Sequence, residues 1–181
     1  MIIGLSGYAR SGKDTVAGIL IGLHGYDTRS FAEPMRKSLY KLNPIVHVNE
    51  GVFKVQGLVD AYGWDVAKVQ YPEIRRLLQV FGTEVGREMF GEDFWVNQAF
   101  KDIERTDLIA FTDCRFPNEA QKVKEMGGEV WRIERTGIDA VNSHPSEHSL
   151  DDWEFDRYIS NGGTLEDLKK TIKVTLDDVH G

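Results

Sequence analysis

A mostly apolar strand that runs through a glycine-rich turn into a helix is the sequence feature that most restricts how this chain can fold. The run Ile2 to Ser6 is followed by the turn Gly7-Tyr8-Ala9-Arg10-Ser11-Gly12 and then by Lys13-Asp14-Thr15. Glycines let consecutive backbone N–H groups turn inward on an anion, and a lysine at this spacing reaches the outer phosphates. The following helix directs the positive end of its dipole at the same point. The pattern therefore predicts a loop that binds the phosphates of a nucleotide.

One residue departs from the strict phosphate-loop pattern, in which Ser or Thr follows the lysine directly and ligates magnesium. Here Asp14 takes that place and Thr15 comes one residue later. A glycine-rich turn that merely opens a helix is the alternative, but it does not account for Lys13. The residues expected to bind the nucleotide phosphates are Gly7, Ala9, Arg10, Ser11, Gly12, Lys13, Asp14 and Thr15.

Composition limits the class of protein and its partners. A chain of 181 residues is long enough for one domain with its own core, and its single cysteine, Cys114, excludes an intramolecular disulfide framework. The formal charge of −7 disfavours binding to nucleic acid polymers, which requires many Lys and Arg contacts to phosphate. No apolar stretch approaches the roughly 18 residues of a membrane span. We expect a cytoplasmic protein.

Apolar runs alternate with helical patterns along the chain, which predicts a layered α/β domain with parallel strands. The predicted strands are Ile2 to Ser6, Asp27 to Phe31, Leu108 to Thr112, Val130 to Ile133 and Arg157 to Ser160. The predicted helices are Gly12 to Leu23, Pro34 to Leu42, Glu73 to Gly86, Asp93 to Glu104, Asn118 to Met126 and Thr164 to Val179. We expect one domain, 1–181, with an inserted loop and short-helix region at about 43–72 and a lid-like segment at about 135–149.

Five further residues carry charge or hydrogen-bonding groups at places that suit a phosphorylated ligand. Arg75 and Gln79 share one flank of the apolar stripe of a predicted helix, so they are candidates to bind a phosphate. Asp113 ends an apolar strand, where a carboxylate holds a magnesium-bound water or accepts a proton, although a turn or cap is the alternative. Arg115 follows it. Arg135 leaves a strand into a polar stretch and is expected to close over the phosphates.

Four segments, in order, carry a resemblance to a known family. They are the loop from Gly7 to Thr15, Arg75-Arg76-Leu77-Leu78-Gln79 with Gly82-Thr83-Glu84, the stretch Thr112 to Glu119, and Ile159-Ser160-Asn161-Gly162-Gly163-Thr164-Leu165. Together they resemble the bacteriophage deoxynucleoside monophosphate kinases over most of the chain, failing chiefly at 43–71. The order Lys-Asp-Thr is the normal form of the loop in that family.

The resemblance implies a three-layer P-loop kinase fold with a five-stranded parallel sheet flanked by helices. It implies transfer of the γ-phosphoryl group of ATP, with Mg²⁺, to a deoxynucleoside monophosphate. Asn161 and Gly162 would border the donor base, while Arg75, Gln79 and Arg115 would face the acceptor. Related P-loop kinases of phosphomevalonate and dephospho-coenzyme A share the fold and loop, so the acceptor stays open.

Phosphoryl transfer depends on alignment and charge neutralisation. Lys13, Arg10, Asp113 and Arg135 are the candidate catalytic residues, and Asp14, Thr15 or Asp113 would hold the metal directly or through water. A nucleotide-dependent NTPase switch is the competing interpretation, but it predicts no second arginine cluster. The sequence is compatible with a homodimer and leaves the oligomeric state and base preference open.

Overall fold

The computed structural model of the chain describes residues 1–48, 51–137 and 148–180. Along the chain, the strands are β1 Ile2–Ser6, β2 Asp27–Arg29, β3 Ile45–Val48, β4 Gly51–Lys54, β5 Ile109–Phe111, β6 Glu129–Glu134 and β7 Arg157–Ser160. The helices are α1 Lys13–His24, α2 Glu33–Leu42, α3 Val55–Gln70, α4 Pro72–Val80, α5 Phe94–Ala99, α6 Pro117–Glu125 and α7 Leu165–His180. A π-helical segment, Phe81–Met89, lies between α4 and α5.

The residues group into two compact units. The first consists of Met1–Phe31 and Asp102–Gly181, and the second of Ala32–Lys101. The insertion expected at about 43–72 falls inside the second unit, and its description as part of a single domain stays a prediction. Within the described ranges, none of the helices combines the length and apolar character that crossing a membrane requires.

The first unit is built on a five-stranded sheet in the order β2-β5-β1-β6-β7, with every neighbouring pair parallel. This confirms the predicted five-stranded parallel sheet. All five residues of the central strand β1 are buried, as expected for a parallel strand covered on both faces. Strands β5 and β6 flank β1, so the chain changes direction across the sheet here. In open α/β sheets, ligands bind beyond the carboxyl ends of strands at such a point.

Two helices cover one face of this sheet. Val16 and Leu20 of α1, Ile172 and Leu176 of α7, and Trp131 of β6 belong to one buried cluster. On β1, a Cβ at Gly4 would lie 3.3 Å from Val123 of α6 and 3.4 Å from the Cys114 sulfur. Cys114 is buried, and desolvation raises the pKa of its thiol, so it behaves as a small core residue.

The second unit corrects the interpretation of residues 43–71. We expected a loop with short helices, but β3 and β4 form an antiparallel hairpin and α3 continues to Gln70. Gly57 and Gly63 lower intrinsic helix propensity, and Gly63, with φ 72°, does interrupt the helical geometry. Burial outweighs this cost because Val55, Leu58 and Ala67 enter the core of the unit.

Two predicted helices have different bounds because of one tryptophan and one sharp turn. The helix predicted over Glu73 to Gly86 is α-helical only to Val80, and the Trp95 indole N–H donates to the carbonyl oxygen of Gly82 (2.9 Å) in the π-helical segment. A carbonyl engaged from outside the helix is a common cause of such a bulge. The helix predicted over Asp93 to Glu104 spans only Phe94–Ala99. Beyond its end, Asp102 has a positive φ of 66°, which is incompatible with a continued α-helix.

Candidate functional site

The glycine-rich turn forms a loop between the carboxyl end of β1 and the start of α1. Three of its residues have positive φ, namely Gly7 (141°), Arg10 (68°) and Gly12 (103°). A Cβ at Gly7 would collide with the carbonyl oxygen of Ile133 and lie 2.7 Å from the Ser11 hydroxyl oxygen. A Cβ at Gly12 would collide with the side-chain amide of Asn161. Both glycines are therefore required by close approach as well as by φ.

Lys13 is folded back over the loop that precedes it. Its ammonium nitrogen donates to the carbonyl oxygens of Gly7 (2.7 Å) and Tyr8 (2.9 Å). Because Lys13 is also the first residue of α1, the ammonium group and the positive end of the helix dipole act on the same region. The loop therefore presents a fixed positive field to an anion.

Asn161 ties the loop to the ends of β6 and β7. Its side-chain amide donates to the carbonyl oxygen of Ser11 (2.8 Å), and its backbone N–H donates to the carbonyl oxygen of Glu134 (2.7 Å). The Ser11 hydroxyl is buried and has no hydrogen-bond partner among the described residues. A buried hydroxyl without a partner costs about 1–3 kcal/mol. A ligand in the loop would offer it an acceptor.

Asp113 links the ends of two strands. Its carboxylate accepts hydrogen bonds from the Ser30 hydroxyl (2.6 Å) and the Phe31 backbone N–H (2.7 Å). It therefore fixes the residues after β2 beside the end of β5.

Glu119 caps the start of α6. The Glu119 carboxylate accepts from the backbone N–H groups of Arg115 (2.7 Å) and Phe116 (3.0 Å), although the residue is buried. A glutamate three residues into a helix that reaches back to the capping residue is a recognised capping arrangement. This fixes the backbone at Arg115, whose side chain is exposed. In the sequence, a glutamate three residues after Phe116 is the feature that could have predicted this cap.

Arg135 lies with the loop around one cavity of about 340 Å³. Its lining includes Tyr8 and Ser11 of the loop and Arg132, Arg135 and Thr136 at the end of β6. Arg10 and Arg135 are both exposed. Most of the segment expected to form a lid, 138–147, lies outside the described residues, so the closing role of Arg135 stays a prediction.

The amino-acid sequence also matches a known protein family. A family model described as deoxynucleotide monophosphate kinase matches residues 58–172. The chain belongs to that family. The match begins after the phosphate loop, so the loop and the match are separate observations that point to a kinase. The resemblance stated from sequence motifs is confirmed.

Relatives of this kinase-family chain come from viruses. It is 28% identical over 203 residues to a putative deoxynucleotide monophosphate kinase of Acanthamoeba polyphaga mimivirus, covering 98% of this chain and 97% of that protein. It is 32% identical over 108 residues to the deoxynucleotide monophosphate kinase of Escherichia phage RB69, covering 57% of this chain and 44% of the phage protein. The alignment therefore spans less than half of the phage enzyme's length. The structure of shikimate kinase from Aquifex aeolicus vf5 gives a TM-score of 0.49 at 12% identity, covering 99% of this chain and 98% of that one.

The kinase's predicted acceptor-binding residues on α4 are exposed. Arg75 and Gln79 lie in the second unit, and both side chains are accessible. Arg76 pairs with Glu73 at 2.7 Å on the surface. The Arg76 guanidinium lowers the pKa of the Glu73 carboxyl through a hydrogen bond that outweighs desolvation. The acceptor role of Arg75 and Gln79 stays a prediction.

The predicted metal-binding residues suit Mg²⁺, which is bound partly by water and substrate phosphates, better than a metal ion whose ligands all come from the protein. Asp14 and Thr15 are exposed in the first turn of α1, and Asp113 is half-buried just after β5. In the described part of the chain, no group of three or more His, Cys, Asp or Glu residues is arranged to hold a metal ion. Mg²⁺ typically keeps several waters and uses one or two carboxylates together with substrate phosphates. This sparse set of oxygen donors suits that mode of binding.

Arg132 belongs to a cluster that the sequence did not predict. Its guanidinium lies 4.5 Å from the centre of the Tyr8 ring and 5.4 Å from that of Phe155, and one nitrogen is 3.3 Å from Asp151. Its ion-pair partner Asp151 is 19 residues away in the sequence. Burial would raise the pKa of the Asp151 carboxyl, but bonds from His148 and Tyr8 and the Arg132 charge outweigh it and lower that pKa.

Proposed function

We propose that this protein transfers the γ-phosphoryl group of ATP to a deoxynucleoside monophosphate and releases ADP and the nucleoside diphosphate. The observation that carries the proposal is the phosphate loop with the Lys13 ammonium held over it, in a chain of the deoxynucleotide monophosphate kinase family. The relatives' names supply the acceptor class.

The loop would bind the β- and γ-phosphates of ATP. Its backbone N–H groups, the dipole of α1 and the Lys13 ammonium provide charge that is already oriented, so little reorganisation is required during transfer. Arg10 and Arg135, both exposed, would add positive charge as the phosphoryl group moves. Asn161, bonded to the loop, and Gly162 would border the donor base.

A magnesium ion, when bound, would neutralise phosphate charge and orient the phosphates for in-line transfer. Asp14, Thr15 and Asp113 are the residues that would hold it, directly or through water. Asp113 also holds the Phe31 backbone and the Ser30 hydroxyl, so it would keep the end of β2 in register with the metal-binding residues.

The acceptor phosphate would be bound by Arg75, Gln79 and Arg115. A guanidinium can contact a phosphate through two parallel N–H bonds, which fixes orientation as well as charge. The acceptor's base, a homodimer, a cytoplasmic location and the exclusion of nucleic acid and membrane partners stay predictions.

A substrate panel tests the proposed function. ATP and Mg²⁺ are combined with each ribo- and deoxyribonucleoside monophosphate, with phosphomevalonate and with dephospho-coenzyme A, and the phosphorylated product is quantified by chromatography. We expect transfer to at least one deoxynucleoside monophosphate. ATP hydrolysis that no acceptor stimulates would instead indicate an NTPase switch.

The Lys13→Ala variant tests the role of the loop within the same panel. It should lower kcat by about a hundredfold or more, because it removes oriented charge from the transferring group. Lys173→Ala, which removes an exposed lysine from α7, is the matched control and should leave kcat unchanged. A folded Lys13→Ala variant with near-normal kcat would remove Lys13 from the mechanism.

A further inference from the structure

Within the glycine-rich loop, Gly7 to Gly12, Tyr8 has the large aromatic side chain, and the other residues are small or exposed. Gly7, Ala9, Ser11 and Gly12 offer little surface for packing, and glycine-rich backbone is conformationally permissive. The carbonyl oxygen of Tyr8 accepts from the Lys13 ammonium (2.9 Å) and from the Ser11 backbone N–H (3.2 Å). Any movement of Tyr8 therefore displaces an acceptor that orients Lys13.

Arg132 and Asp151 hold the Tyr8 side chain at both its face and its hydroxyl. The Arg132 guanidinium covers the ring, and the Tyr8 hydroxyl donates to Asp151 Oδ1 (3.0 Å). The same Asp151 oxygen lies 3.3 Å from Arg132, so the three side chains form a closed triangle. We call Tyr8, Arg132 and Asp151 the loop clamp. His148 contacts the other Asp151 oxygen at 2.8 Å.

The clamp connects the loop to a rigid part of the fold. Arg132 is 9% exposed and lies on β6, which pairs directly with β1 at Ser6 and with β7 at Tyr158. Phe155 covers the guanidinium at 5.4 Å. An arginine between two aromatic rings is held by stacking as well as charge, which a lysine does not reproduce.

Stability alone is a weak reason for this arrangement. Arg132 is buried, but the Asp151 side chain is 33% exposed, and an ion pair with an exposed partner contributes only about 0–1 kcal/mol. Arg132 also lines the cavity of about 340 Å³ together with the loop residues Tyr8 and Ser11. A positioning role accounts for both the charge and the location.

We propose that Arg132 is a positioning residue for phosphoryl transfer, acting through Tyr8 and Asp151 to hold the phosphate loop and Lys13 in the geometry that binds ATP. The inference rests on the proposed use of ATP as donor. It assigns no direct contact between Arg132 and substrate, and it predicts an effect confined to the donor side of the reaction.

Arg132→Met is the main test variant because methionine can fill the space between the two rings without charge. Arg157→Met is the matched control, since Arg157 on the neighbouring strand β7 pairs with Glu129 at 3.4 Å. We expect Arg132→Met to raise KM for ATP about tenfold, while KM for the monophosphate changes by less than about twofold. Arg157→Met should leave both KM values unchanged, even if it lowers the thermal unfolding temperature by as much as Arg132→Met does.

Tyr8→Phe and the double variant Tyr8→Phe/Arg132→Met test whether the two residues act through one another. Tyr8→Phe removes the bond to Asp151 but keeps the ring, so we expect KM for ATP to rise about threefold. The double variant should be no worse than Arg132→Met by more than about twofold, because the residues act as a unit. Effects that multiply in full would overturn the proposal.

Amide hydrogen exchange gives a readout that needs no catalysis. Exchange at Ser11 and its loop neighbours should quicken in Arg132→Met without ligand and stay unchanged in Arg157→Met. Unchanged loop exchange together with an unchanged KM for ATP would overturn the positioning role. A wild-type protein that lacks kinase activity would refute the proposed function, and the loop exchange would still test the clamp.

Discussion

Replacing Gly7 with alanine tests whether the phosphate loop is held in its conformation by close backbone contact. Gly7 has φ 141°, and its added Cβ would lie 2.7 Å from the Ser11 hydroxyl oxygen and closer still to the Ile133 carbonyl oxygen. The hydroxyl can rotate, but Ile133 is within β6, paired with β7, so its carbonyl can move only if the sheet shifts.

The expected cost has two parts. Holding a residue other than glycine in this backbone region costs about 1–3 kcal/mol, and forcing extra volume into a packed site costs about 1–3 kcal/mol. We therefore expect Gly7→Ala to lower the free energy of unfolding by about 2–6 kcal/mol, a large part of the roughly 5–15 kcal/mol typical of a domain. ATP affinity should fall as well, because the Gly7 carbonyl oxygen orients Lys13.

Urea unfolding followed by circular dichroism measures the change, with Gly18→Ala as control. Gly18 lies in α1, and a Cβ there would meet nothing within 4 Å. That variant should gain about 0.4–1 kcal/mol, because alanine is the better helix former and restricts the unfolded chain. A Gly7→Ala protein as stable as wild type, with normal ATP affinity, would refute the close-contact explanation.

Two further predictions concern the acceptor and the last helix. Arg75→Ala and Arg115→Ala should each weaken monophosphate binding by about 1.5–3 kcal/mol in calorimetry, with little change for ATP, whereas Arg76→Ala, which loses only a surface pair, should bind both normally. At the start of α7, hydrogen bonds from the Thr164 hydroxyl and backbone N–H outweigh desolvation and lower the pKa of Asp167 below 3.8. This contribution to stability should be present above pH 3.8, the value taken for the unfolded chain, and be lost as the pH falls through the lower folded-state pKa. Urea unfolding of Asp167→Asn from about pH 5 to pH 2 should accordingly show a shallower acid-side decline than wild type, and identical slopes would contradict the assignment.

Local patterns in the sequence predicted the strand, turn and helix at the amino end and most of the parallel sheet. The phosphate loop was predictable because its requirements are local: glycine where φ is positive, a lysine at fixed spacing, and a helix that begins there. Strand β1 was predictable because a parallel strand covered on both faces needs a nearly continuous apolar run. The bounds of β1 and β7 agree with the prediction to the residue.

Elements whose conformation depends on distant partners were predicted less well. Helix α3 contains Gly57 and Gly63, so its helical state depends on burying Val55, Leu58 and Ala67 in the second unit. The π-helical segment depends on the Trp95 indole reaching the Gly82 carbonyl oxygen. Neither segment has a hydrophobic periodicity that indicates these contacts with distant residues.

The sequence by itself determined that this chain has a phosphate loop on an α/β sheet, because backbone sterics and hydrophobic periodicity act over a few residues. It also supplied the motifs by which the family was suggested. The tertiary structure alone decided what each charged side chain contacts. Asp113 binds Ser30, 83 residues away, and Arg132 binds Asp151 and Tyr8, because the parallel sheet brings the carboxyl ends of its strands together. Such pairings follow from the order of strands in space, and no local pattern of residues specifies that order.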